Sequence, residues 1–484
     1  MLLSGKVSCV IILIIRQKFA ARSGKEFAMS YMIKTPCGLL KGATCAVPGV
    51  IAFKGIRYAT AGRWEYPKQV TAWEGVYEAT QYGPCCWQGR AFASPESLEK
   101  DYFHREFHQG IDYAYSEDCQ YLNVWIPATV KKGSSLPVLV YIHGGGYVSG
   151  CGNDKPFDDP VLPTRGVITV TLNYRVGPLG FACIEEAAEE AGHTGNYGLH
   201  DQMVALQWIQ DNIAAFGGDP RKVTIMGQSA GAMSVQHHCL SPLTHGLFAR
   251  AVMSSGGGWL RRFPVKPAQK EYDFWENVME EADCETLEQF RALSVEDLYA
   301  AWNREAKKKR GVWGHCGPCI DGTFIPTDPI RQLRAGREKN IPYMIGSTSR
   351  DMIRWELARV ARHYCADQAR EGKRSSFAWF FERKLPGDKR GAYHSSDLWY
   401  WFGTYRNCWR PMEDTDIALS AQMVSYLTNF AKCGDPNGCP LPMWEAGRPT
   451  TARVLRLGEG ETRMGRISNI RLLLGSLWSK ITGK

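Results

Sequence analysis

The sequence predicts an α/β protein: a mixed, mostly parallel sheet flanked by helices, with an inserted helical cap. Three observations lead there. Near-continuous apolar runs at Leu136–Ile142, Val167–Leu172 and Val223–Met226 read as strands buried on both faces. Helical stretches alternate with these runs, which is the grammar of parallel strands joined by crossovers. From Met32 to about Thr80 the chain instead shows short β-like runs broken by Gly and Pro, as antiparallel strands at the start of a mixed sheet would.

Taken in order, residues 1–28 are expected to be a leader outside the fold. The apolar run Val10–Ile15 is too short to span a bilayer, and Arg16, Lys18 and Arg22 follow it directly. Phe19 stands where a secretory cleavage site wants a small residue, so a cytoplasmic location is expected, with secretion as the alternative. Residues 29–484 are expected to form one domain. Between Gly198 and Phe216, Met203, Leu206, Ile209 and Ile213 recur at spacings of three and four and make one apolar face of a crossover helix. Pro220 ends that pattern before the strand near Val223. From about 267 to 309 the text is helical and charged without a strand candidate, and this is the expected cap. The basic run Lys307-Lys308-Lys309-Arg310 reads as a solvated helix end, where cations complement the dipole.

Composition narrows the function classes. With 484 residues, 44% of them hydrophobic, the chain can bury a large core. An aromatic share of 12% with sixteen Trp suits an apolar, aromatic-lined pocket. The net charge of +9 is spread among 49 acidic residues, so no nucleic-acid partner is expected. Sixteen Cys are scattered rather than arranged as a short disulfide framework.

Two motifs carry chemistry. Gly227-Gln228-Ser229-Ala230-Gly231 lies between a buried strand and a helix. In that setting the two Gly permit a sharp turn that lifts the Ser229 hydroxyl above the sheet, where it can act as a nucleophile. His143-Gly144-Gly145-Gly146-Tyr147 follows another buried strand, and its glycines let backbone N–H groups approach a reacting oxygen with no side chain in the way.

Together with further blocks, these motifs make the chain resemble the type-B carboxylesterase and cholinesterase family from about Met32 onward. The blocks are Glu117 to Val124, Asn173 to Phe181, Gly195 to Gln202, Phe216 to Pro220 and Asn429 to Asn437. The resemblance implies an α/β-hydrolase fold and hydrolysis of a small-molecule carboxylic ester through an acyl-enzyme on Ser229, with neither metal nor cofactor. It implies that Gly145, Gly146 and Ala230 donate oxyanion-hole N–H groups. It further implies an ion pair between Glu117 and Arg175 and, for secreted relatives, a bridge from Cys85 or Cys86 to Cys119. Gln228 departs from the family, many of whose members have Glu before the nucleophile.

A serine hydroxyl needs a His to take its proton and a carboxylate to orient that His, in the chain order Ser, acid, His. His394, within Gly391 to Tyr400, looks like the family's catalytic-His loop; His237, His238 and His315 fall too early or match no such loop. For the acid, aligning the strand Ile341 to Ile345 puts Asp351 in the family's Glu position, with Glu356 as the alternative. Cys316-Gly317-Pro318-Cys319 imitates a redox pair, but strand-and-turn text follows it where a helix is needed. A catalytically silent, adhesive member of the same fold is the rival from another class. Oligomeric state is not legible.

Overall fold

A computed structural model of the chain describes residues 12–13, 30–131, 133–258, 260, 262–308, 315–450, 453–458 and 460–468. Its centre is a fourteen-stranded sheet. In chain order the strands are β1 (Ile12–Leu13), β2 (Ser30–Thr35), β3 (Gly38–Thr44), β4 (Val50–Arg57), β5 (Val76–Glu78), β6 (Tyr121–Pro127), β7 (Leu136–Ile142), β8 (Ile168–Leu172), β9 (Gly218–Gln228), β10 (Arg250–Ser254), β11 (Tyr343–Thr348), β12 (Ser376–Phe381), β13 (Arg453–Leu457) and β14 (Arg463–Arg466). Their spatial order is β1-β2-β3-β4-β6-β8-β7-β9-β10-β11-β12-β13-β14, with β5 beside β3. From β8 through β7 to β13 every neighbouring pair is parallel. The chain's early strands and the β13–β14 pair are antiparallel, except β5 on β3. This is the α/β-hydrolase arrangement, a parallel centre with an antiparallel start.

The apolar runs are continuous because both faces of the central strands are covered. On β7, Val138, Val140 and Ile142 join one core while Leu139 and Tyr141 join the other. The first core is closed by helices α1 (Tyr197–Asn212) and α2 (Ala230–Leu240), the second by α6 (Asp414–Cys433). Trp399, Trp401 and Phe402, beside His394 in sequence, are fully buried in the second core. Their size serves packing.

Residues 272–308 form α3 (Tyr272–Glu281), α4 (Leu287–Ala292) and α5 (Val295–Lys308). These helices pack on loops: Phe290 stacks on Trp64, with ring centroids 4.6 Å apart, and the Tyr299 hydroxyl donates to the Trp87 carbonyl. Lys307 and Lys308 occupy the last turn of α5, and Lys308 pairs with Glu281; Lys309 and Arg310 lie outside the described residues. The expected leader, 1–28, also falls almost wholly outside them. Its one described piece, Ile12–Leu13, pairs antiparallel with Ile33 and Met32, so this piece adds to the sheet edge instead of standing clear of the fold.

Candidate active site

Ser229 sits between the end of β9 and the start of α2, half-buried, with φ 58° and ψ −125°. A non-glycine residue there costs on the order of 1–3 kcal/mol, so its surroundings must hold it. They do so through backbone contact. A Cβ on Gly231 would lie 2.1 Å from the Ile142 carbonyl oxygen, and one on Gly227 would lie 2.2 Å from the Gly231 oxygen. Strand and helix therefore close to a distance that only glycine permits. The Ser229 N–H donates to the Ser254 carbonyl at the end of β10 (2.9 Å).

The His and the acid arrive from two loops tied together. Arg350 N–H donates to the Ala392 carbonyl (2.9 Å), which holds the turn after β11 against the loop carrying His394. His394 Nδ1 lies 2.7 Å from Asp351 Oδ1, and both side chains are buried. Asp351 is held in turn: Oδ2 accepts from the hydroxyls of Ser255 (2.6 Å) and Thr348 (3.1 Å), and Oδ1 also accepts from the Met352 N–H (2.8 Å). Burial opposes ionisation of Asp351, but the His394 charge and these hydrogen bonds outweigh it and hold the carboxyl below its usual range. For His394 burial is again the largest single influence and disfavours the cation. The charge and hydrogen bond of Asp351, helped by Asp397, outweigh it and raise the imidazole above its ordinary value.

The other face of the imidazole meets Gln228, whose Nε2 is 3.1 Å from His394 Nε2. With Nδ1–H donated to Asp351, Nε2 is an acceptor and the amide N–H donates to it. Among the described residues the Ser229 hydroxyl has no hydrogen-bond partner, an open arrangement common before substrate binds. Gln228 is therefore more than an isostere of the expected Glu; its amide occupies His394 Nε2. The His-Gly-Gly-Gly loop passes against the same turn, a Cβ on Gly144 falling 3.0 Å from Ser229 Cβ. The N–H groups of Gly145, Gly146 and Ala230 donate to no group among the described residues.

Several participants carried no sequence signal. Asp397 is fully buried, accepts from Ser254 Oγ (2.8 Å) and Trp401 Nε1 (3.1 Å), and is pushed up to about 6, chiefly by burial. Ser255 and Thr348 are equally silent, since isolated hydroxyls at strand ends match no motif. The rival acid Glu356 stands apart, half-exposed and 3.9 Å from Arg262. The rival histidines go elsewhere: His238 to Gln202 and His315 to Glu271, while His237 is buried without a partner among the described residues.

One implied ion pair is corrected. Arg175 binds Asp201, not Glu117, through Nη2–Oδ1 (2.7 Å) and Nε–Oδ2 (2.8 Å). Glu117 pairs with Arg63. The reason is burial: Arg175 is 2% exposed and needs a carboxylate equally removed from water, which Asp201 on α1 supplies and the half-exposed Glu117 does not. The fifteen described cysteines are free. Cys86, rather than Cys85, neighbours Cys119, whose thiol is pushed well up by burial and by Cys86. Cys319 opens the short strand Cys319–Ile320, and both it and Cys316 are buried with thiols held well above the usual range, the opposite of a redox pair's activated thiolate.

Comparison with known proteins agrees with this architecture. The carboxylesterase family profile matches residues 29–371 and 356–471. The chain is 36% identical over 324 residues to the para-nitrobenzyl esterase of Bacillus subtilis (strain 168), a stretch covering 66% of this chain and 62% of that protein. It is 31% identical over 487 residues to the bile salt-activated lipase of Mus musculus, covering 81% and 76% respectively. A solved PNB esterase superposes with a TM-score of 0.77 at 27% identity, covering 90% of this chain and 96% of its own. With the profile spanning nearly all of the sheet and both loops that meet at Ser229, the chain belongs to the carboxylesterase family.

Proposed function

We propose that the protein is a serine carboxylesterase that cleaves small-molecule carboxylic esters through an acyl-enzyme on Ser229. The observation that carries this is the buried Asp351–His394 pair, 2.7 Å apart, beside a serine on a strained strand-to-helix turn. In the reaction Ser229 Oγ attacks the ester carbonyl carbon while His394 Nε2 takes its proton, the Gln228 amide having swung off that nitrogen. Asp351 stabilises the imidazolium as it forms. The developing oxyanion is received by the N–H groups of Gly145, Gly146 and Ala230; one such donor is commonly worth ~100- to 1000-fold in rate. His394 then protonates the departing alkoxide. Water, deprotonated by the same nitrogen, releases the acid and restores Ser229.

The test is a panel of p-nitrophenyl esters of increasing acyl length, whose optimum measures the acyl pocket. Wild type is expected to turn over with a burst of p-nitrophenol, and Ser229→Ala to lose both burst and turnover. Retention of most activity in that variant refutes the assignment. A silent, adhesive protein would hydrolyse none of the panel. Cytoplasmic location is part of the same proposal, and fractionation of the native cell tests it. Among the described residues no helix is long and apolar enough to cross a membrane.

A further inference from the structure

His193 and His200, seven positions apart, meet Asp321 from a distant part of the chain. We propose that His193, His200 and Asp321 form a binding site for one divalent transition-metal ion of the zinc type. Their candidate ligand atoms all lie within 4.8 Å of one another. Ligands of a tetrahedral Zn²⁺ with bonds near ~2.05 Å are about 3.4 Å apart, so small side-chain movements close the site. Two imidazoles and one carboxylate suit such an ion and leave a fourth position for water.

The second observation is an unused donor. His200 is 7% exposed on α1, and its Nε2 has no hydrogen-bond partner among the described residues. Leaving such a nitrogen unpaired in the interior is unfavourable, and a bound metal would offset that cost. The supporting shell is already built. His193 Nδ1 is 2.5 Å from the Tyr66 hydroxyl, which is 3.2 Å from the Gly195 carbonyl, so a relay of Nδ1–H to Tyr66 and Tyr66 O–H to Gly195 leaves His193 Nε2 as its ligating atom. Asp321 is fixed by the N–H groups of Thr323 and Ile325 on Oδ1 (both 2.9 Å) and by Asn196 Nδ2 on Oδ2 (2.9 Å). Asn196 also clasps the Cys319 backbone in both directions, binding the 319–321 segment to the start of α1. Tyr66 packs on both imidazoles, with centroids 4.4 Å from His193 and 4.5 Å from His200, and Phe324 lies 5.2 Å from His200. His193 and Asp321 are half-buried, which gives an ion a way in.

The experiment titrates the chelator-treated full chain with ZnCl₂ by calorimetry, and with Co²⁺ while following its visible absorption. Wild type is expected to bind one equivalent of Zn²⁺ and to give the intense bands of a low-coordinate Co²⁺ site. His200→Phe, which keeps the ring packing, is expected to weaken binding by 100-fold or more; His193→Ala, at a half-buried position, guards against misfolding of the first variant. Esterase turnover of the metal-free chain is expected to equal that of the untreated protein. Absence of saturable Zn²⁺ binding overturns the proposal. So does unchanged binding in both histidine variants, or binding lost in Cys183→Ser and kept in His200→Phe, which would assign the ion to the Cys183 and Cys319 thiols that lie against Gly195.

Discussion

Replacing Asp351 by Asn tests the proposed triad most sharply, because it removes the charge that faces the imidazole. Oδ1 faces His394 Nδ1 and accepts from the Met352 N–H, while Oδ2 accepts from the hydroxyls of Ser255 and Thr348. Asn has one acceptor oxygen. Placed at the Oδ1 position it keeps the Met352 and His394 contacts, with its NH₂ donating to a hydroxyl, but no anion remains to stabilise the imidazolium. Placed at Oδ2 it turns its NH₂ toward Nδ1, which must then become the acceptor, and the proton moves to Nε2, the tautomer that cannot take a proton from Ser229. A triad carboxylate-to-amide change of this kind costs about 10⁴-fold in kcat, or ~5.4 kcal/mol at ~1.36 kcal/mol per decade. Steady-state hydrolysis of p-nitrophenyl acetate measures kcat and KM, and circular dichroism checks the fold. KM is expected to change little. A loss below tenfold in Asp351→Asn, or an equal loss in Glu356→Gln, would refute the assignment of the acid.

Three further outcomes are expected. Because His394 must be neutral to accept the proton and is raised above its ordinary value of about 6.5, kcat/KM is expected to fall on the acid side with an apparent pKa above that value; Asp397→Asn, which removes a charge favouring the imidazolium, is expected to move the limb to lower pH. Gln228→Glu is expected to move the same limb upward by about one pH unit or more, since a carboxylate 3.1 Å from Nε2 would favour the cation; an unmoved profile would show that the contact does not persist in solution. Asp201→Asn, which leaves the Arg175 charge buried, is expected to cost ~3–5 kcal/mol in urea unfolding, against ~1 kcal/mol or less for Glu117→Gln on its half-exposed pair.

The parts of this protein legible in sequence are those with a local signal. Continuous apolar strands announce a two-sided sheet, and the Gly pattern around Ser229 announces its turn. Asp351 and His394 were reached through chain order and resemblance, and the structure brings them into contact. What could not be read depends on side-chain partners chosen in three dimensions. Arg175 has several acidic residues to pair with, and only its depth selects Asp201. Gln228 could be recognised as a departure, but its contact with His394 depends on a rotamer. The His193, His200 and Asp321 group is invisible for a related reason: Asp321 lies 121 positions after His200, so no spacing rule applies.

The turn at Ser229 and the glycine loop of the proposed oxyanion site touch through peptide groups: Gly231 lies against Ile142 and His143, and Gly144 against Gln228. Their relative placement is thus a property of covalent geometry and van der Waals radii, with no rotamer in between. Any substitution that adds a carbon at these glycines acts as a wedge that separates attacking oxygen from oxyanion donors. Side chains farther out carry no such constraint. On the proposed function, side chains around the turn can therefore be changed to suit a different ester while the reacting groups keep their mutual registration, which makes this region a fixed die and the surrounding loops its interchangeable fittings.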